Sequence, residues 1–238
     1  MKIYRNEHIE RLAQDRLIEL ERITGKPLAP PIPIDLVAER VLGLQILWEN
    51  VDELPGEIIF GAIVPKDRLI VLNERRKTLF EEKPGLERST KGHEMGHWDL
   101  FVDKATLDHP VLFDDDDDGP FALRSCPHGE AAVLKILQAS AEGQKLLREM
   151  EARGDEPDEA RAVNRYAAAL SMPKGLLREE AMKLDRTRWP NLYRLAETFD
   201  VTISAMCVRL QQLDLLYIGK DKKLFESRDQ ANGQMGLF

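Results

Sequence analysis

The most informative segment of the chain reads Lys91-Gly92-His93-Glu94-Met95-Gly96-His97-Trp98. Its two histidines are four positions apart in a helix-compatible stretch, so both imidazoles lie on one helical face and can bind one metal ion. Zinc suits such a pair because it accepts nitrogen ligands in tetrahedral geometry and has no redox chemistry. The intervening Glu94 can take a proton from water held by the metal. The segment predicts a zinc site with Glu94 as the catalytic base, against the alternative of a chance pattern on an amphipathic helix.

A zinc site of this kind requires a third protein ligand. Glu159 is the leading candidate because it shares a helical stripe with Val163 and Tyr166 that we expect to face the core, where an unpaired carboxylate is unfavourable. Its alternative role is that of a first-turn acid interacting with the helix dipole. Further candidates downstream of the motif are Asp158, His109, His128, Cys126 and Glu130.

The two cysteines, Cys126 and Cys207, have different predicted roles. Cys126 lies in irregular chain between the two ligand-bearing helices. Because a thiolate is a strong zinc ligand, Cys126 could occupy the fourth position and inhibit the site. The alternative for Cys126 is a small buried side chain, and Cys207, in an apolar helix, is predicted to belong to the core. Two cysteines cannot form a disulfide scaffold, which favours a reducing, cytoplasmic compartment.

The segments around the motif predict a mixed fold. Residues 7–24 repeat apolar positions at helical spacing. Three short β-rich stretches follow at 44–48, 58–64 and 68–73, with a turn at Pro65-Lys66-Asp67 between the last two. The remainder of the chain is mainly helical in character. The order of helices, small sheet and helices predicts an α+β fold.

Composition limits the function classes. Hydrophobic residues are 43% and charged residues 32% of the 238 residues, which excludes a largely disordered chain. Without a run of about 18 apolar residues, a membrane-spanning helix is excluded. The charged N-terminal segment, residues 1–22, lacks the apolar stretch of a signal peptide. The formal net charge of −8 disfavours tight binding to bulk nucleic acid.

Three segments together resemble the ImmA/IrrE family of HExxH zinc metallopeptidases. They are residues 68–73, which resemble a strand ending in asparagine, the motif at 93–98, and the helix and Met-Pro end at 159–173. A weaker match at 195–213 is similar to the helix-turn-helix-like segment that follows in the family. The resemblance implies an intracellular zinc endopeptidase whose substrate is a regulatory protein, such as a helix-turn-helix repressor in a stress, defence or mobile-element response. The chain departs from the family just before the motif, where it has Ser89-Thr90-Lys91-Gly92, and at the position of the family's metal-binding glutamate, which is Ala160.

The resemblance also implies a domain organisation. We expect a zincin-like metallopeptidase domain at 1–173, with a small β-sheet packed on the zinc-peptidase helices and a helical insertion at about 103–155. A helix-turn-helix-like region at 174–220 and a polar tail at 221–238 follow. We predict that the helix-turn-helix-like region packs on the peptidase core and does not bind DNA, because Arg209 is the only basic residue from 201 to 216.

Two alternatives remain open at the level of function. The first is a non-proteolytic regulatory or scaffold protein with a structural or silent zinc site. The second concerns the last five residues, Gln234-Met-Gly-Leu-Phe238, which are similar to the peptides by which bacterial proteins bind the replication sliding clamp. The alternative for this tail is that it docks onto the chain itself or a second copy. No membrane partner is expected.

Overall fold

The computed structural model describes residues 4–53, 59–107, 155–156, 159–219 and 221–231. In these ranges the chain combines many helices with small sheets, so the prediction of a mixed fold is confirmed. No helix in these ranges has both the length and the apolar character needed to cross a lipid bilayer. The helices are α1 (Asn6–Thr24), α2 (Ile34–Leu36), α3 (Lys77–Glu82), α4 (Pro84–Leu100), α5 (Lys104–Leu107), α6 (Glu159–Ser171), α7 (Lys174–Met182), α8 (Trp189–Phe199), α9 (Ile203–Gln212) and α10 (Arg228–Ala231). The strands are β1 (Tyr4–Arg5), β2 (Gln45–Glu49), β3 (Gly61–Val64), β4 (Leu69–Asn73), β5 (Asp155–Glu156), β6 (Tyr217–Ile218) and β7 (Leu224–Phe225), with a π-helix at Val37–Leu42 and a 3-10 helix at Glu74–Arg76.

The three-stranded sheet has the order β2-β4-β3. Strand β4 is central and buried along almost its whole length, because its apolar run is covered on both faces. It pairs with β2 in parallel and with β3 antiparallel, Ile70 lying opposite Ile46 and Ile63 respectively. The turn predicted at Pro65 joins β3 to β4. Strand β3 is therefore an edge of this sheet, and it lies against α4.

Three long helices form the main core with the sheet. Helix α1 buries Ile9, Ala13, Leu17 and Leu20, which recur at the spacing of one helical face. These side chains join one cluster with Met95 of α4 and with residues of α6. The predicted first helix is thus confirmed within one residue at its N-terminus.

A second core cluster holds the C-terminal helices together. Helices α8 and α9 are joined by a tight turn in which Asp200 has a left-handed backbone and Thr202 caps α9 through its hydroxyl. Cys207 is buried on α9, which agrees with its predicted core role. Strands β6 and β7 form an antiparallel hairpin after α9 that the sequence analysis did not predict.

Arg209 ties the C-terminal helices to the N-terminal one. Its side chain is fully buried on α9, and its guanidinium donates to both carboxylate oxygens of Glu10 on α1, at 2.5 and 2.8 Å. The Nε atom donates to the carbonyl of Met172 at 3.1 Å. The basic residue that the sequence analysis weighed as a DNA contact is therefore engaged inside the protein.

Candidate functional site

Helix α4 carries the motif, and its close approach to α6 builds the site. A Cβ atom at Gly96 would lie 3.0 Å from Cβ of Val163 and 3.1 Å from its Cα and carbonyl oxygen, and one at Gly92 would lie 3.1 Å from Cβ of Ala167. Both glycines are therefore needed for the spacing, since any side chain would push the helices apart. This spacing brings polar side chains of α6 to the two histidines of α4.

The two histidines converge at their Nε2 atoms, which are 3.1 Å apart. The rings are inclined at 72° to each other, with centroids separated by 4.8 Å. Burial, and secondarily the neighbouring His97, lower the pKa of His93, while Asn164 and Glu159 act in the opposite direction. His93 is thus favoured as a neutral imidazole, the form that binds metals.

Each histidine also meets a side chain of α6 at its other ring nitrogen. Nδ1 of His93 lies 2.9 Å from Oδ1 of Asn164. Nδ1 of His97 lies 3.0 Å from Oε1 of Glu159. Glu159, the sequence-predicted third ligand, is therefore brought to the site. The sequence analysis did not single out Asn164, although its polar side chain beside Val163 in the 159–173 helix is the signal that could have identified it.

Glu94 faces the edge strand of the sheet. Its side chain is almost fully buried, and the backbone N–H of Ile63 donates to its carboxylate. Burial raises the pKa of Glu94 to about 7, against the opposing effects of His97 and of this N–H. A carboxyl with such a pKa can accept and return a proton near neutral pH.

A buried polar network underlies the C-terminal end of the motif helix. The carboxylate of Asp99 accepts hydrogen bonds from Arg16 at 2.7 and 3.0 Å, from Lys104 at 2.7 Å and from the Tyr166 hydroxyl at 2.7 Å. Burial alone would raise the pKa of Asp99, but these donors lower it. The network fixes α4 between α1 and α6, and so supports the position of His97.

Asn73 organises the chain that flanks the other end of the sheet. It is fully buried, and Oδ1 accepts from the backbone N–H of Val51 and Arg75 at 3.2 and 3.1 Å. Its Nδ2 donates to Glu53 at 3.2 Å and to the carbonyl of Ile59 at 2.9 Å. Every hydrogen-bonding position of the amide is used, which fits the strand-end asparagine noted in the sequence.

The remaining sequence candidates lie outside the described residues. These are Asp158, His109, Cys126, His128 and Glu130, together with the tail at 234–238. Within the described ranges, no group of three or more His, Cys, Asp or Glu side chains is arranged to hold a metal ion. The metal roles of Glu159 and Cys126 therefore stay predictions.

Comparisons with known proteins add little to this site. No protein-family model matches the chain, and no curated protein is similar to it. Among solved structures, the chain is similar to a transcriptional regulator from Mycobacterium tuberculosis, with 14% identity and a TM-score of 0.40. The match covers 83% of this chain and spans 46% of the regulator, less than half of its length. A likeness this weak carries no argument about function.

Proposed function

We propose that this protein is a zinc-dependent endopeptidase in which His93 and His97 hold the metal and Glu94 is the general base. The observation that carries the proposal is the separation of the two Nε2 atoms, 3.1 Å. Two nitrogen ligands of a tetrahedral zinc ion with ordinary bond lengths are about 3.3 Å apart. The histidine pair thus has the spacing that one zinc ion requires.

The chain's own residues supply the remaining chemistry. When bound, zinc would lower the pKa of water towards ~7 and polarise a carbonyl group. Glu94 has a pKa near neutrality, so it can accept a proton from water and return it to the leaving amine. The N–H of Ile63 orients the Glu94 carboxylate from the edge of the sheet.

The edge strand favours a peptide as the substrate. Strand β3 lies beside α4, and no strand in the described ranges pairs with its outer edge. An extended peptide can add to such an edge through backbone hydrogen bonds, which would place its carbonyl groups beside the motif helix. Together with the family resemblance, this supports a regulatory protein, such as a transcriptional repressor, as the substrate class.

A non-proteolytic regulatory or scaffold protein with a structural or silent zinc site is the second candidate. It is the alternative that the sequence leaves open, because the residue that aligns with the family's metal-binding glutamate is Ala160. The two candidates differ in what Glu94 does, because a structural site has no need of a base. The effect of replacing Glu94 on peptide cleavage therefore distinguishes the two candidate functions.

The experiment combines metal analysis with peptide cleavage. The protein, purified from zinc-supplemented medium, is analysed for zinc and incubated with a proteome-derived peptide library, and new peptide termini are identified by mass spectrometry. We expect stoichiometric zinc in the wild type and in Glu94→Gln, with cleavage reduced about 10²- to 10⁴-fold in the variant. Glu87→Gln, on the same helix and paired with Lys91, is the matched control and should cleave normally.

Three results would count against the proposal. If the wild-type protein does not contain stoichiometric zinc, both candidate functions are contradicted, because each requires a zinc site. Zinc binding without any cleavage of the library favours the scaffold function. Normal cleavage by Glu94→Gln contradicts the assigned base.

A further inference from the structure

The two histidines of the motif have corresponding partners on α6. Each ring turns Nε2 towards the other ring and Nδ1 towards a side-chain oxygen, from Asn164 for His93 and from Glu159 for His97. An amide or carboxylate oxygen can only accept a hydrogen bond. The Asn164 contact therefore favours a proton on Nδ1 of His93 and an unshared electron pair on its Nε2, and the nearby Glu159 carboxylate attracts a proton to Nδ1 of His97.

This preference is unfavourable in the absence of a cation. With both rings protonated on Nδ1, two electron pairs face each other across 3.1 Å. At His97 the buried Nδ1 lies 3.0 Å from the Glu159 carboxylate, although no acceptor in the described ranges is aligned with it for a hydrogen bond. A metal ion between the Nε2 atoms removes the conflict, since both rings can then keep the proton on Nδ1.

We propose that Glu159 and Asn164 are a pair of positioning residues, which fix the Nδ1–H tautomers of His97 and His93, and that Glu159 acts through His97 and is not itself a metal ligand. The inference rests on the proposed metal site and deepens it. It also accounts for the position of Glu159, one residue before the alanine that aligns with the family's metal-binding glutamate.

The geometry distinguishes this role from direct ligation. The two nitrogens of an imidazole ring direct their bonds away from each other. The Glu159 oxygen contacts Nδ1 of His97, which is not the ring nitrogen that faces His93. Asn164 has the same relation to His93, and its Oδ1 lies at the ring nitrogen through which a metal-binding histidine commonly donates to an oxygen.

The first test measures tautomers without any metal. Long-range proton–nitrogen spectra of the metal-free protein, labelled on its five histidines, report which ring nitrogen of His93 carries the proton. We expect an Nδ1–H signal for His93 in the wild type and in Asn164→Asp, which keeps an acceptor. The signal should be lost or mixed with the Nε2–H form in Asn164→Leu. An unchanged tautomer in Asn164→Leu overturns the role of Asn164.

The second test measures metal binding with Zn²⁺ and Co²⁺. Loss of an outer partner of a metal ligand weakens affinity about 10- to 100-fold. We therefore expect Glu159→Ala and Asn164→Leu to weaken Zn²⁺ binding by this factor in chelator competition, Asn164→Asp to bind as the wild type does, and His93→Ala to lose the site. The Co²⁺ absorption spectrum of Glu159→Ala should match that of the wild type.

The outcomes separate this inference from the proposed function. If Glu159→Ala loses Zn²⁺ as completely as His93→Ala and alters the Co²⁺ spectrum, Glu159 is a direct ligand and the inference is wrong while the metal site stands. If the wild type binds neither Zn²⁺ nor Co²⁺, the proposed function fails, and with it the metal-positioning role of both residues. Thermal unfolding of each variant confirms that it is folded.

Discussion

Replacing Gly96 by alanine should lower the stability of the fold and disturb the spacing of α4 and α6 that positions the candidate site. The added Cβ would lie 3.0 Å from Cβ of Val163 and 3.1 Å from its Cα and carbonyl oxygen, several tenths of an ångström inside ordinary contact. Two of these three atoms belong to the backbone, so the strain can be relieved only by moving α4 away from α6. Overpacking of this kind costs about 1–3 kcal/mol.

Alanine recovers part of that loss because it is a better helix former than glycine, by roughly 0.5–1 kcal/mol. The net expectation for Gly96→Ala is a loss of about 1–2 kcal/mol, or roughly 2–8 °C in Tm for a chain of this size. Gly175→Ala on α7 is the matched control, since nothing lies within 4 Å of its Cβ position. This control should keep the wild-type Tm or raise it by a few degrees, about the effect of the propensity gain alone.

Thermal unfolding followed by circular dichroism measures both variants under the same conditions. If Gly96→Ala were as stable as Gly175→Ala, the claim that α4 and α6 are too close for a Cβ atom at position 96 would be wrong. The double variant Gly96→Ala with Val163→Ala provides a second check. Because Cβ, Cα and the carbonyl oxygen of Val163 remain in it, full recovery of Tm would contradict the steric argument.

Four further substitutions test buried polar contacts by urea denaturation. Glu10→Gln leaves the fully buried Arg209 without its carboxylate partner, and we expect it to lower the free energy of unfolding by about 3 kcal/mol. Arg209→Met should lower it by less, because the Glu10 carboxylate that is left behind is partly exposed to water. A larger loss in Arg209→Met than in Glu10→Gln would contradict this reasoning. Asn73→Asp turns a donor towards the Glu53 carboxylate into an acceptor, and we expect a loss of about 2–4 kcal/mol. Asp99→Asn removes the negative charge to which three side chains donate, and we expect it to lower the free energy of unfolding by about 2–3 kcal/mol. If the variant were as stable as the wild type, the Asp99 network would make no contribution to stability.

Local patterns in the sequence were sufficient for the elements that depend on local physics. The apolar repeat of α1 predicted its extent, and the helix ends at Thr24 because Gly25 adopts a left-handed backbone that caps it. The apolar run of β4 and the turn before it predicted two consecutive strands, which the structure pairs antiparallel. The four-residue spacing of His93 and His97 placed both side chains on one helical face, as the structure has them.

Features that depend on contacts between distant parts of the chain could not be predicted from local sequence patterns. The parallel pairing of β2 with β4 leaves no local trace, because the side-chain alternation of a strand is the same in either direction. The contact of His93 with Asn164 joins residues 71 positions apart. The hairpin of β6 and β7 consists of two-residue strands, which are too short to show a periodic pattern in the sequence. In its turn Lys222 adopts a positive φ of 60°, a conformation that is uncommon for lysine and that the sequence therefore does not indicate.

The bond between Arg209 and Glu10 has a consequence for the synthesis of this protein. The two residues are separated by 199 positions, so α1 leaves the ribosome long before its partner exists. At translation rates of 5–20 residues per second, Glu10 waits for roughly 10–40 s. During that interval α1 can pack with α4 and, once it is synthesised, with α6, but Glu10 lacks its partner on α9. Completion of the native structure is therefore coupled to the synthesis of the C-terminal helices, and a nascent chain arrested before α9 would lack the ion pair that joins α9 to α1.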